Sequence, residues 1–224
     1  MEFKGTHFQK TIILQCIRWY LAYPLSYRNL EEMMAERGVS VDHSTINRWV
    51  VRYSPGLAAA FSRRKRRVGT SWRMDETYIK VRGKWKFFYR AVDKQGQTID
   101  FLLTARRDRG AALRLLRRAI DGHRVPVKIN VDKSGSNKSA ILAIAAELHV
   151  EIECRQCKYL NNIVEQDHRA GKRLSRASLG YKNFGWAHNT LAGIELMHML
   201  RKGQLRPKFA RDLTPAQQFY SLAA

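Results

Sequence analysis

The chain has 224 residues, with 41 Lys and Arg against 19 Asp and Glu, and a formal net charge of +22 at pH 7. Hydrophobic residues make up 45% of it, so the chain can bury a core and is not a disordered basic tail. No run of apolar residues approaches the length of a membrane span, which is about 18 residues. The N-terminus lacks the apolar core of a signal peptide, and three cysteines do not make a disulfide framework. We therefore expect a polyanionic partner, with nucleic acid favoured over an acidic membrane surface. We also expect the protein to reside in a reducing cytoplasm.

Residues 1–54 predict a small all-α domain of three helices. Ser26 and Asn29 stand at the two positions of a capping box, where Glu or Gln would be stronger than Asn. A turn with Gly follows this second helix, and Asp42 or Ser44 caps a third helix that runs to about residue 53.

The third predicted helix has an apolar face and a polar face. The polar face carries the candidate DNA-binding residues Ser44, Thr45, Asn47, Arg48 and Arg52. A helix, a short turn with Gly and a second helix of this kind are typical of a helix-turn-helix domain, in which Asn and Arg bind base edges and Ser and Thr hold phosphates. The alternative is a three-helix packing unit with a solvated polar face. The positive charge of the chain favours the interpretation as a DNA-binding domain.

Residues 55–70 are predicted to be a basic linker that follows a turn signal at Ser54-Pro55-Gly56. The densest run of positive charge lies here, in Arg63, Arg64, Lys65, Arg66 and Arg67. Such a run is either a solvated charge run or a set of phosphate contacts. Its place between two folded units favours phosphate contact.

Residues 71–180 are predicted to form an RNase H-like domain. Strand-like segments at 72–81, 85–92 and 98–104 are joined by short turns and indicate an antiparallel meander. A helix, a short strand, a helix, a strand and a helix follow, so the order is βββαβαβα. This order predicts an α/β fold with a mixed five-stranded sheet and flanking helices. Residues 181–224 predict a helical extension that packs on this domain or on a partner chain.

Three carboxylates stand on the elements that an RNase H-like order brings together. Asp75 lies in the first strand, Asp132 ends the fourth strand, and Glu165 lies on the following helix. Carboxylate oxygens are ligands for hard cations, Mg²⁺ or Mn²⁺. Two such ions, roughly 3.5–4 Å apart, activate an attacking oxygen and stabilise the leaving oxygen of a phosphodiester.

Each carboxylate has an alternative. Glu76 stands beside Asp75, and strand alternation lets only one of the two point into the site. Asp167 competes with Glu165 on the same helix, and Asp132 could cap the loop that follows it.

Two basic or titratable side chains lie close to Glu165 along the same helix. Lys172 is seven residues further on, on one helical face with Glu165, where it either reaches a phosphate or pairs with the carboxylate. His168 is one turn from Glu165, and a place in the active site and a structural role are equally expected.

The spacing of cysteine and histidine gives no zinc site. Cys154 and Cys157 form a lone pair with no second pair at zinc-finger spacing, so an incidental pair is favoured over a metal or redox site. His7 and His43 lack nearby cysteine partners, which argues against an N-terminal zinc site.

Several motifs occur together along nearly the whole chain. They are Ser26-Tyr27-Arg28, Val41-Asp42-His43-Ser44-Thr45-Ile46, Arg48-Trp49-Val50, Met74-Asp75-Glu76-Thr77-Tyr78, Tyr89-Arg90-Ala91-Val92-Asp93, Asp132-Lys133, Lys158-Tyr159, Asn161-Asn162, Glu165-Gln166-Asp167-His168, Gly193-Ile194-Glu195 and Arg201-Lys202-Gly203-Gln204. In this combination the sequence resembles the DDE transposases of bacterial insertion sequences, most closely the insertion-sequence-six group.

The resemblance implies that Asp75, Asp132 and Glu165 are a catalytic triad and that Lys172 matches the basic residue following the glutamate. It implies Mg²⁺ or Mn²⁺, with two ions per active site, and DNA partners, namely the element's terminal inverted repeats and target DNA. It also implies dimers or higher assemblies on paired ends, in the cytoplasm at the bacterial nucleoid and away from membranes. The expected reaction is cleavage at the element ends and strand transfer by a 3′-hydroxyl, which gives cointegrates.

Two features depart from the group. Asp132 and Glu165 are separated by 32 residues, slightly fewer than the group leads us to expect. Gly171 replaces an apolar helical residue, and glycine inside a helix costs about 1 kcal/mol relative to alanine. The alternatives are therefore a weakened or inactive copy that acts only as a sequence-specific DNA-binding protein, or a related nuclease.

Overall fold

The computed structural model describes residues 7–133, 135–176 and 180–224. The chain divides into two compact units. The sheet unit is Arg67–Ala170, and the helical unit contains the chain up to Arg66 and from Gly171 onward. No helix in the described part of the chain is long and apolar enough to cross a membrane.

The sheet unit is built on a mixed five-stranded sheet. Its strands are β1 (Ser71–Val81), β2 (Lys84–Asp93), β3 (Thr98–Thr104), β4 (Lys128–Val131) and β5 (Glu153–Gln156). They lie in the order β3-β2-β1-β4-β5, with β2 antiparallel to both of its neighbours and β4 parallel to both of its neighbours. This arrangement confirms the predicted RNase H-like sheet.

Helices complete the predicted order of elements in the sheet unit. They are α4 (Arg109–Gly122), α5 (Gly135–Leu148), the 3₁₀ turn Lys158–Asn161, and α6 (Asn162–Arg176), which crosses into the helical unit. Side chains of β1 and β2 form one buried core with α4 and α5, in which Met74, Tyr89, Leu116 and Ile141 are fully buried. β5 begins at Glu153, where its pairing with β4 starts opposite Lys128.

The helical unit contains the three predicted N-terminal helices and a C-terminal set. They are α1 (Lys10–Ala22), α2 (Tyr27–Ala35), α3 (His43–Ser62), α7 (Phe184–Arg201), α8 (Pro207–Ala210) and α9 (Pro215–Ser221). The capping box of Ser26 and Asn29 is confirmed, with both of its hydrogen bonds formed. Asp42, rather than Ser44, caps α3 and accepts from the backbone N–H groups of Ser44 and Thr45.

The helix end predicted near residue 53 is wrong, because α3 continues through Pro55 to Ser62. Proline lacks a backbone N–H, so the carbonyl four residues earlier in the helix loses its usual hydrogen-bond donor. That carbonyl, on Val51, accepts instead from the side-chain amide of Asn189 on α7 at 3.1 Å. The buried side chains of Leu57 and Phe61 extend the apolar stripe, so residues 55–62 are helical and not part of a linker.

The basic run after α3 is fixed to the C-terminal part of the helical unit. The Arg66 N–H donates to the Gln204 carbonyl at 2.9 Å, and the Arg206 N–H donates to the Arg64 carbonyl at 2.9 Å. The Arg64 guanidinium donates to the Ser221 carbonyl at 3.0 Å. The residues predicted to be a free linker are therefore held by backbone pairing as far as Arg66.

Helix α7 packs on α1 and α3, a contact that was not among the sequence predictions for the C-terminal extension. A Cβ atom at Gly193 would lie 2.7 Å from the side chains of both Leu21 and Ser54. These distances are shorter than any ordinary contact of a Cβ atom, so the three helices approach closely only because residue 193 is glycine.

We predict that Gly193→Ala lowers the free energy of unfolding by about 1–3 kcal/mol, the usual cost of overpacking. Urea unfolding followed by circular dichroism measures the change. Gly122→Ala is the matched control, because a Cβ atom there meets nothing within 4 Å and the residue is also helical. An unchanged midpoint for Gly193→Ala would contradict the close packing of α7.

Candidate active site

Parallel pairing of β1 and β4 brings two of the predicted carboxylates level with one another. Arg73 lies opposite Asn130 in the register, and two residues further along each chain are Asp75 and Asp132. Parallel strands present their carboxyl ends at the same sheet edge, so residues that follow them meet there. The sequence predicted this convergence from the order of elements alone.

The third carboxylate is positioned by a buried amide network at the start of α6. Asn130 donates to the side-chain oxygen of Asn161 at 2.6 Å, and Asn161 donates to the Met74 carbonyl at 3.4 Å. The Arg73 guanidinium donates to the Leu160 carbonyl at 2.9 Å. These bonds tie the 3₁₀ turn to β1 and β4, so the first turn of α6, which carries Glu165, begins next to the sheet.

Asp75 is buried among other carboxylates. Burial raises the pKa of Asp75 from its ordinary value of 3.8 to about 7, and the charges of Glu76, Asp132 and Glu165 add to the shift. The charge that acts on Asp75 from α6 is therefore that of Glu165. His168 also faces the group, with Nε2 at 3.7 Å from Asp75 Oδ2 and a side chain only 6% exposed.

Glu76 points to the other side of β1, as strand alternation requires, and is held by two donors. Arg107 contacts the Glu76 carboxylate and lies 3.2 Å from Asp132 Oδ2. The Asn137 amide donates to Glu76 at 3.1 Å and to Asp132 at 3.5 Å. Burial raises the pKa of Glu76, and these donors oppose the shift. Of the adjacent pair, Glu76 thus shares both of its donors with Asp132, and Asp75, on the opposite side of β1, is contacted by His168.

The donor set at this sheet edge fits a hard divalent cation, because it consists of carboxylate oxygens with their charges close together. Burial is the main cause of the raised pKa of Asp75, and the neighbouring negative charges add repulsion that a cation would offset. In the described part of the chain, Asp75, Asp132 and Glu165 are not among the sets whose ligand atoms all lie within 4.8 Å. Asp132 is paired with Arg107, whose guanidinium lies 3.2 Å from Asp132 Oδ2.

A different three-residue set, Glu31, Asp42 and His43, meets that distance criterion among the described residues. His43 Nδ1 lies 3.0 Å from Glu31 and 3.3 Å from Asp42. All three side chains are well exposed. Their pairing connects α2 to the start of α3 and so fixes the turn between the two helices.

The polar face predicted for α3 is directed outward in the helical unit. Ser44, Arg48 and Arg52 are exposed, and Thr45 and Asn47 are half-buried. In the basic run that follows, Arg63, Arg66 and Arg67 are exposed, and Arg64 and Lys65 are half-buried. Lys172 is exposed on α6, which continues unbroken through Gly171. DNA contact by these side chains stays a prediction.

Three residues of the site were not singled out from the sequence. Arg107 stands in the basic run Arg106-Arg107-Asp108-Arg109, where neighbouring arginines look alike. Asn137 lies in the first turn of α5, and Asn161 stands only within one of the motifs that carry the family resemblance. Asparagines at the ends of buried elements were the available signal, because a buried amide requires hydrogen-bond partners.

An RNase H-like sheet with acidic side chains on its central strands is the arrangement of enzymes that act on nucleic-acid phosphodiesters. A family model described as a DDE domain, of the IS240 type, matches residues 69–204. Two Staphylococcus aureus proteins, the transposases for insertion sequence-like element IS431mec and for insertion sequence element IS257 in transposon Tn4003, are each 37% identical to this chain. Each alignment covers 99% of this chain and 98% of the relative. The chain belongs to the DDE transposases of bacterial insertion sequences, of the insertion-sequence-six type.

Solved structures of retroviral integrase cores overlap part of the chain. The catalytic core domain of BIV integrase is 17% identical with a TM-score of 0.45, covering 57% of this chain and 83% of that one. The HTLV-2 integrase catalytic core domain in complex with magnesium is 14% identical with a TM-score of 0.46, covering 68% and 97%. The fold of this chain is defined by its own strand order and pairing.

We predict that Asp75→Asn stabilises the chelator-treated protein more at pH 8 than at pH 5. The raised pKa means that the folded state holds the Asp75 proton more tightly, so the stability of the wild type falls as pH rises from about 4 to 7. The amide avoids this loss, which is on the order of a few kcal/mol. Thermal unfolding across the pH range measures the difference in stability between Asp75→Asn and the wild type. Asp121→Asn, at an exposed aspartate, controls for one lost charge. A difference that stays constant or becomes smaller toward pH 8 would contradict the burial of Asp75.

We predict that Arg107→Gln tightens Mg²⁺ or Mn²⁺ binding, because the guanidinium competes with a cation for Asp132. Calorimetric titration of the metal into metal-stripped protein measures the affinity. Arg117→Gln is the matched control, since Arg117 pairs with Glu147 on the exposed surface at 2.7 Å. Weaker metal binding in Arg107→Gln would show that the guanidinium organises the carboxylates and does not compete with metal.

Proposed function

We propose that this transposase binds the terminal inverted repeats of its element, cleaves at the element ends, and transfers the resulting 3′-hydroxyl into target DNA, joining replicons into cointegrates. The observation that carries the proposal is the parallel register of β1 and β4, which brings Asp75 level with Asp132 at the sheet edge where α6, with Glu165 in its first turn, begins. The resemblance of the full chain to insertion-sequence transposases supports the same conclusion.

The triad Asp75, Asp132 and Glu165 would hold Mg²⁺ or Mn²⁺, with two ions per site. Bound ions of this kind activate the attacking oxygen and stabilise the leaving oxygen. In the first step a water oxygen attacks the phosphorus at the element end, the bond from phosphorus to the 3′-oxygen breaks, and that oxygen takes a proton. In the second step the new 3′-hydroxyl loses its proton, attacks a target phosphorus and displaces the target 3′-oxygen.

Positive side chains would bring DNA to the acidic site. On α3, the outward face with Ser44, Asn47 and Arg48 is suited to base edges in a major groove and to phosphates. The exposed side chains of Arg63, Arg66, Arg67 and Lys172 would contact phosphates. The net charge of +22 supports such a footprint over much of the surface. We assign DNA reading to residues 1–54 and chemistry to residues 71–180.

Two element ends have to be processed together, so we propose that the chain acts as a dimer or a higher assembly on paired ends. The described part of each chain contains one such set of three carboxylates. A second chain would therefore supply the site for the second end, and target DNA would enter next to both.

The test is a joining reaction with labelled element ends, Mg²⁺ and a target plasmid. We predict that Asp75→Asn, Asp132→Asn and Glu165→Gln each lower joining by more than about 100-fold, beyond the usual cost of losing a residue outside the metal ligands. Binding of element ends in chelator is expected to remain. Asp121→Asn, an exposed aspartate in the same unit, is the matched control.

Other outcomes would separate the remaining possibilities. A variant of the triad that joins ends as well as the wild type would overturn the catalytic assignment. Wild-type protein that cuts the ends but never joins a supplied 3′-hydroxyl would be a nuclease. Tight, salt-sensitive binding with no metal-dependent turnover would mark a non-catalytic DNA-binding copy.

A further inference from the structure

The tip of the β1–β2 hairpin exposes an unusual combination of side chains. Its turn is formed by Arg82 and Gly83, both in the left-handed region with φ of 51° and 73°, as in a two-residue type I′ hairpin. On the strands beside the turn, Tyr78 is 48% exposed and Trp85 is 62% exposed. Trp85 is thus the most exposed tryptophan in the described part of the chain.

These aromatic rings form a continuous strip on one side of the hairpin. Tyr78 lies directly opposite Phe87, and Lys80 lies opposite Trp85. The Tyr78 ring centroid is 6.4 Å from that of Trp85 and 5.2 Å from that of Phe87. We call Tyr78, Trp85 and Phe87 the aromatic strip. Cross-strand packing of this kind holds the rings in place without burying them.

The inner end of the aromatic strip lies beside the Glu76, Arg107 and Asp132 side chains of the candidate active site, on the side of β1 opposite to Asp75. On the same side of β1, two residues before Tyr78, is Glu76, which Arg107 links to Asp132. The side chains that follow toward the turn are Tyr78 and Lys80. The strip therefore leads from Glu76 and Asp132 out along the hairpin toward its turn.

Beyond Glu76, which Arg107 contacts, the charge around the aromatic strip is positive. Lys80, Arg82 and Lys84 are exposed and Lys86 is half-buried, and residues 77–92 contain no Asp or Glu. The Lys80 ammonium lies 5.9 Å from the centroid of the Trp85 ring. Exposed aromatic faces interleaved with lysines match a polyanion that also offers flat apolar rings, which is the chemistry of nucleic-acid bases and phosphates.

We propose that the aromatic strip stacks unpaired bases of a DNA strand at the active site, while the surrounding lysines hold its phosphates. Paired bases hide their faces inside the duplex, so rings of this kind find partners on a frayed or single-stranded end. The proposal rests on the proposed function and deepens it, because it assigns to the active site a strand whose end is unpaired.

The experiment measures DNA affinity of the full chain in chelator, where no chemistry occurs. The probes are a blunt duplex and the same duplex with a short 3′ single-stranded extension of thymines that contains one 2-aminopurine. Stacking is tolerant of sequence, so the extension needs no element sequence. The wild type is expected to bind the extended duplex more tightly and to quench the 2-aminopurine fluorescence.

Trp85→Leu is expected to lower the affinity for the extended duplex by about 5- to 100-fold, the usual value of one stacked base. It should also remove the quenching and leave affinity for the blunt duplex unchanged. Trp85→Phe keeps an aromatic face and should retain most of the preference. Leu142→Ala, at an apolar side chain of the same unit that is 56% exposed, is the control for surface change.

Preference and quenching that survive in Trp85→Leu would overturn the proposal. So would a Trp85→Leu protein whose main defect is a change of oligomeric state by light scattering, or lost binding to vesicles with phosphatidylserine. These outcomes are independent of the joining reaction. Joining without a preference for extended duplexes leaves the transposase function standing, and a preference without joining leaves the aromatic strip standing.

Discussion

The parallel register between β1 and β4 is the constraint on which the rest of the sheet unit depends. It places Asp75 level with Asp132 in a partly buried position, although burial and like charge both oppose ionisation there. Such an arrangement persists only where its surroundings fix it. The amides of Asn130 and Asn161 provide this by joining the sheet to the start of α6.

The acids beside this cluster show how the fold separates two kinds of carboxylate. Strand alternation turns Glu76 toward Arg107 and Asn137, which satisfy it within the protein. Asp75 lies on the opposite side of β1, where His168 contacts it and where burial and the charges of neighbouring acids raise its pKa. Adjacent residues of the same chemistry thus have different surroundings.

Much of the fold was predictable from local signals. Alternation and turn residues defined β1 to β3, and Ser26 with Asn29 defined the start of α2, because both depend on neighbours in sequence. The end of α3 was not predictable in this way, since the carbonyl freed by Pro55 is satisfied by Asn189, far along the chain. The three candidate carboxylates followed from element order, whereas the part played by Arg107 depends on a tertiary contact that its sequence neighbours do not distinguish.

The helical unit is assembled from the two ends of the chain, with the sheet unit inserted between them. During synthesis, residues 67–170 are complete before α7 has been made. The sheet unit is therefore able to fold while the apolar face of α3 still lacks its contact with α7. A product interrupted after the sheet unit would carry the carboxylate cluster but only part of the helical scaffold that supports α3. The helical unit, to which we propose to assign DNA binding, is thus completed after the sheet unit that carries the candidate site.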